Sequence, residues 1–237
     1  MTRASVAAAA TVAALVAAAS PAGAASYPKV EQLVVFRDGT TIQRTATAKA
    51  ATVRVGGRSC TTGPSTALAA LVRIKPPKLS LRDYGSCSTR ARDAGGLFVR
   101  SMNGDTNKGF DGWVYKVGQK LATAGSADPS GPFGRGRLKT GQRVTWFYCR
   151  LQGQSCERTL VARTAATAPG QVTVTVRAYD DSGKSIPAAG ASVVSGGVTA
   201  TTGDDGSAVL SLPPGTHRVH AERAGDVRSF SERVEVG

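Results

Sequence analysis

Aromatic side chains in two segments have a spacing that could hold a ligand. Trp113 and Tyr115 are two residues apart in a strand-like run, and Trp146 and Tyr148 repeat that spacing. Residues two apart on a β-strand share one face, so pairing of the two strands would gather four rings into a platform for a planar ligand or a sugar ring. The alternative is that the rings pack inside a small sheet and form its core. Both interpretations stay open, and all four residues are candidate ligand-binding residues.

Between these two segments lies a long loop, residues 125–137, that is rich in glycine and proline. Its glycines would let the backbone approach a ligand closely, and the guanidinium groups of Arg135 and Arg137 could grip an anionic group with paired hydrogen bonds. The loop contains neither a Walker motif nor a dinucleotide-binding motif. Loops of this length often bind ligands, and an ordinary surface loop is the alternative.

Catalytic and metal-binding patterns are weak. His217 and His220 are three residues apart on a strand-like run and would face opposite sides, which is poor geometry for one metal ion. Asp180-Asp181 and Asp204-Asp205 lie in turns, where aspartate is favoured for local hydrogen bonds, and a calcium site shared between them lacks the EF-hand spacing. Residues 26–163 contain no histidine for a catalytic triad. We predict a protein that is not an enzyme and that uses no metal or cofactor.

Residues 1–25 have the three-part layout of a secretory signal peptide. Arg3 provides the positive start, Val6 to Ala19 is apolar apart from Thr11, and Ala22-Gly23-Ala24 offers small residues for cleavage. The apolar run is too short and too weakly apolar to span a bilayer. No later run of eighteen apolar residues exists. We therefore predict a secreted protein without a transmembrane segment.

Four cysteines in an exported chain fit two disulfides, for which three pairings are possible. Cys149 and Cys156 flank a short polar stretch between two strand-like runs, which predicts a bridge across a hairpin and leaves Cys60 to pair with Cys87. A zinc site or a catalytic thiol is the alternative. Neither is favoured, because the C-x-x-C spacing is absent and no histidine lies nearby.

The net charge of +14 is unevenly distributed along the chain. Residues 26–163 hold 23 Lys and Arg against 8 Asp and Glu, whereas residues 164–237 hold 6 against 8. Eleven of the 13 aromatic residues also lie in the basic segment. The small residues of 164–170, which end in Pro169-Gly170, are typical of a linker. These observations predict two domains, 26–163 and 171–237.

The charge of the first domain points to an anionic partner outside the cell. No predicted helix carries a basic stripe, and export argues against genomic DNA, so we predict no specific nucleic acid. An anionic cell-wall polymer or a small planar ligand fits better. A surface that is basic only for solubility is the alternative.

Residues 171–237 read almost entirely as β-strands. A period-two alternation runs from Val172 to Tyr179, and shorter runs follow between turn signals. These runs are Ala191 to Val194, Val198 to Thr201, Ala208 to Leu212, His217 to Ala221 and Ser229 to Val236. Roughly seven strands in so short a segment are typical of a small antiparallel sandwich.

Two stretches of this domain resemble the carboxypeptidase-regulatory or transthyretin-like repeats of secreted bacterial proteins, which are also grouped with bacterial Ig-like modules. The stretches are Pro187-Ala188-Ala189-Gly190-Ala191-Ser192-Val193 and the run from Thr202 through Asp205-Gly206 to Pro214-Gly215. The resemblance covers most of residues 169–237. It implies a spacer or adhesion module without chemistry of its own.

The basic domain combines one helix with many strands. The helix is predicted over Thr66 to Ile74, capped by Ser65 and ended by Pro76-Pro77. The predicted strands are Val30 to Arg37, Thr40 to Ala46, Thr52 to Val55, Leu79 to Leu81, Leu97 to Ser101, Gly112 to Val117, Arg143 to Cys149 and, as the closing strand, Glu157 to Ala162. One helix against a largely antiparallel sheet is an α+β arrangement.

Two motifs of this domain resemble a secreted family described as transcobalamin C-terminal-like. Residues 112–118, Gly-Trp-Val-Tyr-Lys-Val-Gly, resemble the family's W-x-Y-x-V-N-G element, and residues 140–148 resemble its closing G-D-x-V-x-W-x-Y element. The resemblance covers about residues 30–150 and implies a small β-grasp-like domain. Gly118, the insert from Ala122 to Leu138 and the four cysteines depart from the family pattern. The resemblance therefore implies the fold more strongly than it implies a corrinoid ligand.

Together these features predict a secreted, non-enzymatic binding protein. Its basic domain would contact an anionic or planar ligand of the cell envelope, and its β-sandwich would act as a spacer. An adhesion protein whose β-sandwich makes the contacts is the first alternative. A secreted hydrolase is the second.

Overall fold

The computed structural model describes Met1 and residues 26–237. The predicted signal peptide, residues 1–25, therefore lies outside the described residues apart from Met1. The described chain is mostly β-sheet, and it contains two large hydrophobic cores. Within residues 26–237, no helix is both long enough and apolar enough to cross a membrane.

The first core belongs to an N-terminal domain, residues 26–157. Its main helix is α1 (Ala67–Ile74), and residues Ala91–Gly96 form a short 3₁₀ helix. Its strands are β1 (Lys29–Val35), β2 (Thr41–Thr47), β3 (Thr52–Val55), β4 (Arg58–Thr61), β5 (Ser80–Asp83), β6 (Leu97–Met102), β7 (Asp105–Thr106), β8 (Gly112–Val117), β9 (Lys120–Leu121) and β10 (Arg143–Cys149).

Five of these strands form the main sheet, in the order β2-β1-β10-β8-β9. The central pair, β1 and β10, is parallel, and the other pairs are antiparallel. Strands β5, β6 and β7 form a second sheet, and β3 pairs with β4. Helix α1 packs its apolar side chains, among them Leu68 and Leu71, into the core beside Val30 and Val34 of β1. The core thus lies between the helix and one face of the main sheet.

Helix α1 begins at Ala67, one residue later than predicted. Thr66 is the N-cap, and its hydroxyl oxygen accepts a hydrogen bond from the backbone N–H of Ala69 at 3.2 Å. Ser65, the predicted cap, instead has a positive φ of 61°. The prediction of Ser65 was wrong because two adjacent hydroxyl residues both fit the capping preference, and only one has the extended backbone that a cap requires.

The second core belongs to a C-terminal domain, residues 158–237. Its strands are β11 (Thr159–Ala168), β12 (Gln171–Tyr179), β13 (Ser185–Pro187), β14 (Ser192–Ser195), β15 (Val198–Thr201), β16 (Ser207–Ser211), β17 (Gly215–Glu222) and β18 (Glu232–Val236). One sheet has β12 between β11 and the two shorter strands β13 and β16, and the other has the order β15-β14-β17-β18. Alternate residues of β12 are buried, as its period-two pattern predicts. The domain is an all-β sandwich.

The predicted linker, residues 164–170, is not a linker. Strand β11 pairs with β12 in an antiparallel hairpin from Thr159 opposite Tyr179 to Ala168 opposite Gln171, and Pro169-Gly170 makes the turn. The predicted closing strand of the basic domain therefore belongs to the sandwich. The small residues that resemble a linker form the exposed end of a strand, where little side-chain burial is needed.

Moving the boundary to residue 157 also changes the charge of each domain. Residues 26–157 hold 21 Lys and Arg against 8 Asp and Glu, a net charge of +13, and residues 158–237 hold 8 against 8. The basic character is thus confined to the N-terminal domain.

The two domains pack against each other through specific contacts. Arg143 of β10 bridges Glu31 and Glu232, with N–O distances of 2.8 Å from Nε to Glu31 and 2.8 Å from Nη2 to Glu232. The Gln43 side-chain amide donates to the carbonyl of Ser231 at 3.1 Å and accepts from its N–H at 2.7 Å. A small apolar cluster that includes Phe147, Cys149 and Val227 also joins the two domains. These contacts fix the arrangement of the two domains.

Candidate functional site

The four predicted aromatic residues come together, but inside the core. Strands β8 and β10 place Tyr115 opposite Trp146 and Trp113 opposite Tyr148. The Tyr115 and Trp146 rings stack with centroids 4.9 Å apart, and the Trp113 and Tyr148 rings meet edge to face at 6.0 Å. All four are at most 8% exposed. They are therefore core residues, and the exposed platform was the wrong interpretation, because the helix and the second sheet cover this face.

The polar atoms of these rings are already used within the protein. The Tyr115 hydroxyl donates to the carbonyl of Ala124 at 3.0 Å, and the Tyr148 hydroxyl donates to the carbonyl of Thr106 at 3.0 Å. The Trp146 indole N–H donates to the side-chain oxygen of Gln32 at 2.8 Å. Burial, reinforced by the charge of Asp128, raises the pKa of Tyr115 well above its ordinary value. These rings can offer a ligand only their apolar surfaces.

A small opening, which we call the aromatic pocket, reaches three of the four rings. Its volume is about 170 Å³, and its walls are mostly apolar. It is lined by Trp113, Tyr115, Trp146, Phe98, Val99, Val114, Leu121, Ala122 and residues 124–126. An apolar cavity of roughly 150 Å³ can hold a benzene ring. The aromatic pocket is therefore large enough for one ring or a short apolar group.

Outside the pocket, the solvent-facing side of strands β5 and β6 carries exposed aromatic and cationic side chains. We call Arg82, Tyr84, Phe98 and Arg100 the basic–aromatic face. Tyr84 is 67% exposed and Phe98 is 39% exposed, and their rings meet edge to face at 5.9 Å. The Arg82 guanidinium lies 4.7 Å from the centre of the Tyr84 ring. Phe98 also lines the aromatic pocket, so the face and the pocket adjoin.

The two arginines of this face have no acidic partner in the described part of the chain. Neither Arg82 nor Arg100 forms a salt bridge with any carboxylate of residues 26–237, although most acidic residues there pair with another arginine or lysine. Arg82 lies opposite Phe98 on the paired strands, and both point away from the buried Leu81 and Val99. The face therefore offers two guanidinium groups and two rings to solvent.

The sequence pattern gave no prediction for these four residues. In β5 and β6, buried and exposed residues alternate, and Arg82 and Phe98 stand next to the buried Leu81 and Val99. This alternation is a signal from which their exposure could have been predicted. Nothing in the sequence distinguishes an exposed Phe98 from a buried one. The signal appears only when the pairing of the two strands is known.

The predicted loop, residues 125–137, folds back on itself over the core. Phe133 packs against the core, and the Arg137 Nε–H donates to the carbonyl of Pro129 at 3.1 Å. Gly131 has a φ of 100°, and a Cβ there would come within 2.1 Å of the carbonyl oxygen of Gly136, so only glycine fits this crossing. Arg135 and Arg137 are exposed and do not line the aromatic pocket. The structure does not bring them together with the aromatic residues.

Both predicted disulfides are present, Cys60–Cys87 and Cys149–Cys156. Cys60 is in β4, and Cys87 follows β5. Inside the Cys149–Cys156 disulfide, Gln152 and Ser155 form an isolated antiparallel β-bridge around a two-residue turn. The disulfide thus encloses a short hairpin, as predicted, although β10 itself pairs with β1 and β8 and not with β11. It closes the loop that connects the two domains.

The residues weighed as metal ligands are occupied by local contacts. The Asp180 carboxylate accepts hydrogen bonds from Ser182 and Lys184, which lowers its pKa, and the Asp205 carboxylate accepts from the N–H of Ser207. His217 contacts the carbonyl of Pro213. In residues 26–237, no group of three or more His, Cys, Asp or Glu side chains is placed to hold a metal ion.

Comparison of the chain with protein-family models, with curated proteins and with solved structures finds no match. The two family resemblances stay predictions.

Proposed function

We propose that this protein is an extracellular, non-enzymatic binding protein that holds an anionic, ring-bearing ligand of the cell envelope on its N-terminal domain. The observation that carries the proposal is the basic–aromatic face, Arg82, Tyr84, Phe98 and Arg100, beside the aromatic pocket. The two predicted disulfides and the charge of +13 on residues 26–157 support an extracellular site for an anionic partner.

Exposed rings beside unpaired guanidinium groups suit a ligand that carries both flat and charged groups. Rings such as Tyr84 and Phe98 stack on the apolar faces of sugars and aromatic groups. Guanidinium groups bind phosphates and carboxylates with paired, charge-assisted hydrogen bonds. A phosphate-bearing glycan of the cell wall has both kinds of group. The aromatic pocket would take one apolar substituent of such a ligand.

The arrangement of the strands supports the β-grasp-like assignment of this domain. The first and last strands of the main sheet, β1 and β10, are parallel neighbours at its centre, each flanked by an antiparallel strand, and α1 packs across one face. The sandwich of residues 158–237 supports an Ig-like or transthyretin-like module that acts as a spacer. We give the sandwich no part in this site, because Arg82, Arg100 and the exposed rings of Tyr84 and Phe98 all lie on the N-terminal domain.

Binding to cell walls tests the proposal. Purified walls that carry phosphate polymers are mixed with residues 26–237, and the bound fraction is measured by sedimentation over a range of salt concentrations. We expect binding to weaken as salt rises, since exposed charges are screened, and to fall when the walls are stripped of phosphate. The double variant Arg82→Gln/Arg100→Gln should bind at least fivefold more weakly, and Phe98→Ala should also bind more weakly.

The matched control is Arg44→Gln/Lys49→Gln, which removes the same charge from exposed positions outside the face. It should bind nearly as well as the unaltered protein. Equal binding by the two double variants would overturn the proposed site. If both double variants bind the walls as well as the unaltered protein does, and the walls also retain a fragment of residues 158–237, the β-sandwich makes the contacts, as the adhesion alternative predicts.

A further inference from the structure

A larger cleft lies between the two domains. Its volume is about 510 Å³, and residues of both domains line it. The N-terminal domain contributes the end of β1 and the following turn, the end of β10, and Arg150 and Glu157. The C-terminal domain contributes the loop 222–228 together with Gly190 and Ser192. The cleft shares no residue with the aromatic pocket.

Four arginines but only three carboxylates line this cleft. Each carboxylate is already engaged. Glu157 pairs with Arg150 at 3.0 Å, Asp226 with Arg223 at 2.6 Å, and Glu222 with Arg228 at 3.3 Å. Because the acidic groups are neutralised by their partners, the cleft keeps an excess of positive charge.

Two of the guanidinium groups have unused hydrogen-bonding capacity. The backbone N–H of Arg37 donates to the Asp105 carboxylate at 3.3 Å, but the Arg37 guanidinium does not, because its Nη1 lies 3.9 Å from the nearer Asp105 oxygen. This guanidinium stands 5.0 Å from the centre of the Tyr148 ring. The Nε atom of Arg228 is buried and has no hydrogen-bond partner within the described chain. Burial lowers the pKa of Arg228, against the opposing effect of Glu222. An anion in the cleft would give the Arg37 guanidinium a partner, and the charge of Arg228 would add to the attraction.

Apolar side chains form another part of the wall. Phe36, Phe147 and Tyr148 line the cleft from the N-terminal domain, and Val227 lines it from the C-terminal domain. Sites of this size that combine apolar walls with a few charged groups are typical of small-molecule binding, and they occur preferentially between domains.

We infer that the interdomain cleft is a second binding site, which takes a small organic anion, a carboxylate or a phosphate ester, with a flat apolar body. Arg37 and Arg228 hold the anionic group, and Phe36 and Tyr148 contact the flat body. The site is independent of the proposed function, since it uses other residues. Because both domains contact the ligand, its binding stabilises their arrangement and raises the thermal midpoint of the whole protein.

Calorimetric titration of residues 26–237 with phenyl phosphate, benzoate and inorganic phosphate tests this inference. We expect phenyl phosphate or benzoate to bind at least tenfold more tightly than inorganic phosphate, because only these two probes carry a ring that can contact the apolar side chains of the cleft. Arg37→Gln should weaken the binding at least tenfold. Arg37 is half exposed, so this variant should fold normally, and an unchanged thermal midpoint without ligand would verify that.

The matched control, Arg44→Gln, removes one exposed charge outside the cleft and should bind as the unaltered protein does. Equal binding by Arg37→Gln and Arg44→Gln would overturn the inference. Absence of measurable heat with all three probes at millimolar concentration would also overturn it. Binding that is lost in Phe98→Ala but kept in Arg37→Gln would place the probe in the aromatic pocket instead.

Discussion

At the scale of single residues, Lys116 is the most unusual side chain of the interface between the domains. It extends from β8, its side chain is fully buried, and its Nζ donates to the carbonyls of Tyr179 and Asp180 at 3.1 Å each. The same Nζ lies 3.3 Å from the Asp181 carboxylate. Burial lowers the pKa of Lys116, and the charge of Asp181 opposes that shift. A buried lysine is tolerated only where such partners surround it.

Replacing Lys116 with methionine keeps most of the side-chain volume and removes the amine, which also lies 3.5 Å from the Thr159 hydroxyl. Lys116→Met should lower the free energy of unfolding by about 1–3 kcal/mol, because two carbonyls and a carboxylate lose their donor. Urea unfolding followed by fluorescence measures the change. Lys108→Met, at an exposed position, is the control and should stay within about 0.5 kcal/mol of the unaltered protein. If Lys116→Met and the control have the same free energy of unfolding, the amine of Lys116 does not stabilise the protein.

At the scale of elements, the end of β5 is held by one carboxylate. The Asp83 side chain is 2% exposed, and it accepts hydrogen bonds from the N–H of Cys87 at 2.9 Å and of Gly85 at 3.0 Å. Arg58 donates to the same carboxylate at 3.0 Å. This turn carries Tyr84 of the basic–aromatic face and leads to the Cys60–Cys87 bridge. Asp83 therefore positions part of the proposed binding site.

The hydrogen bond from Cys87, with those from Gly85 and Arg58, lowers the pKa of Asp83 below its ordinary 3.8. A lowered pKa in the folded state stabilises the protein above about pH 3.8, and this contribution is lost as the pH falls towards the folded-state pKa. Asp83→Asn should thus lower the thermal midpoint at pH 6, with a loss of about 1–3 kcal/mol, and the difference should shrink at pH 2.5. A difference that is the same at both pH values would contradict the role given to the ionised carboxylate.

Much of the fold could be predicted from local patterns in the sequence. Strand β12 lies where its period-two run predicts it, because burial on one face imposes that spacing. The strands that carry Trp113 and Trp146 also lie at the predicted residues, although β10 is buried on both faces. Strand β4 was not predicted, since Arg58 to Thr61 is short and mostly polar.

The candidate site could be predicted only in part. Spacing correctly placed the four aromatic rings on one shared face, but whether that face is covered depends on α1 and on the second sheet, which are distant in the sequence. The same limit applies to Phe98 and Arg82, which are neighbours only through the pairing of β5 with β6. Whether a residue is buried depends on contacts between elements that are distant in the sequence, and the local spacing of residues carries no information about those contacts.

At the scale of the whole molecule, the two domains differ in charge and share one interface. The N-terminal domain has a net charge of +13, and the C-terminal domain has none. The Arg143 bridge and the buried Lys116 nevertheless tie the basic domain to acidic groups of its neutral partner. The charge left over lies on the surface of the N-terminal domain, and the basic–aromatic face and the interdomain cleft each hold a part of it.

The position of the boundary between the domains can be tested by cutting the chain. Strand β11 contributes Leu160 and Ala162 to the core of the sandwich and pairs with β12 along its whole length. A fragment of residues 158–237 should therefore fold and show one cooperative unfolding transition. A fragment of residues 169–237 loses this strand, two core side chains and every hydrogen bond between β11 and β12. It should unfold at a clearly lower temperature or show no cooperative transition.

Circular dichroism during heating distinguishes the two fragments, and a third fragment, residues 164–237, serves as a control. It starts at the linker expected from composition and lacks Leu160 and Ala162, but it keeps the exposed half of β11. Since the buried half of β11 supplies the apolar contacts, the unfolding temperature of the control should lie closer to that of the shortest fragment than to that of the longest one. If all three fragments unfold at the same temperature, the first half of β11 contributes nothing to the sandwich, and the domain boundary lies after residue 168.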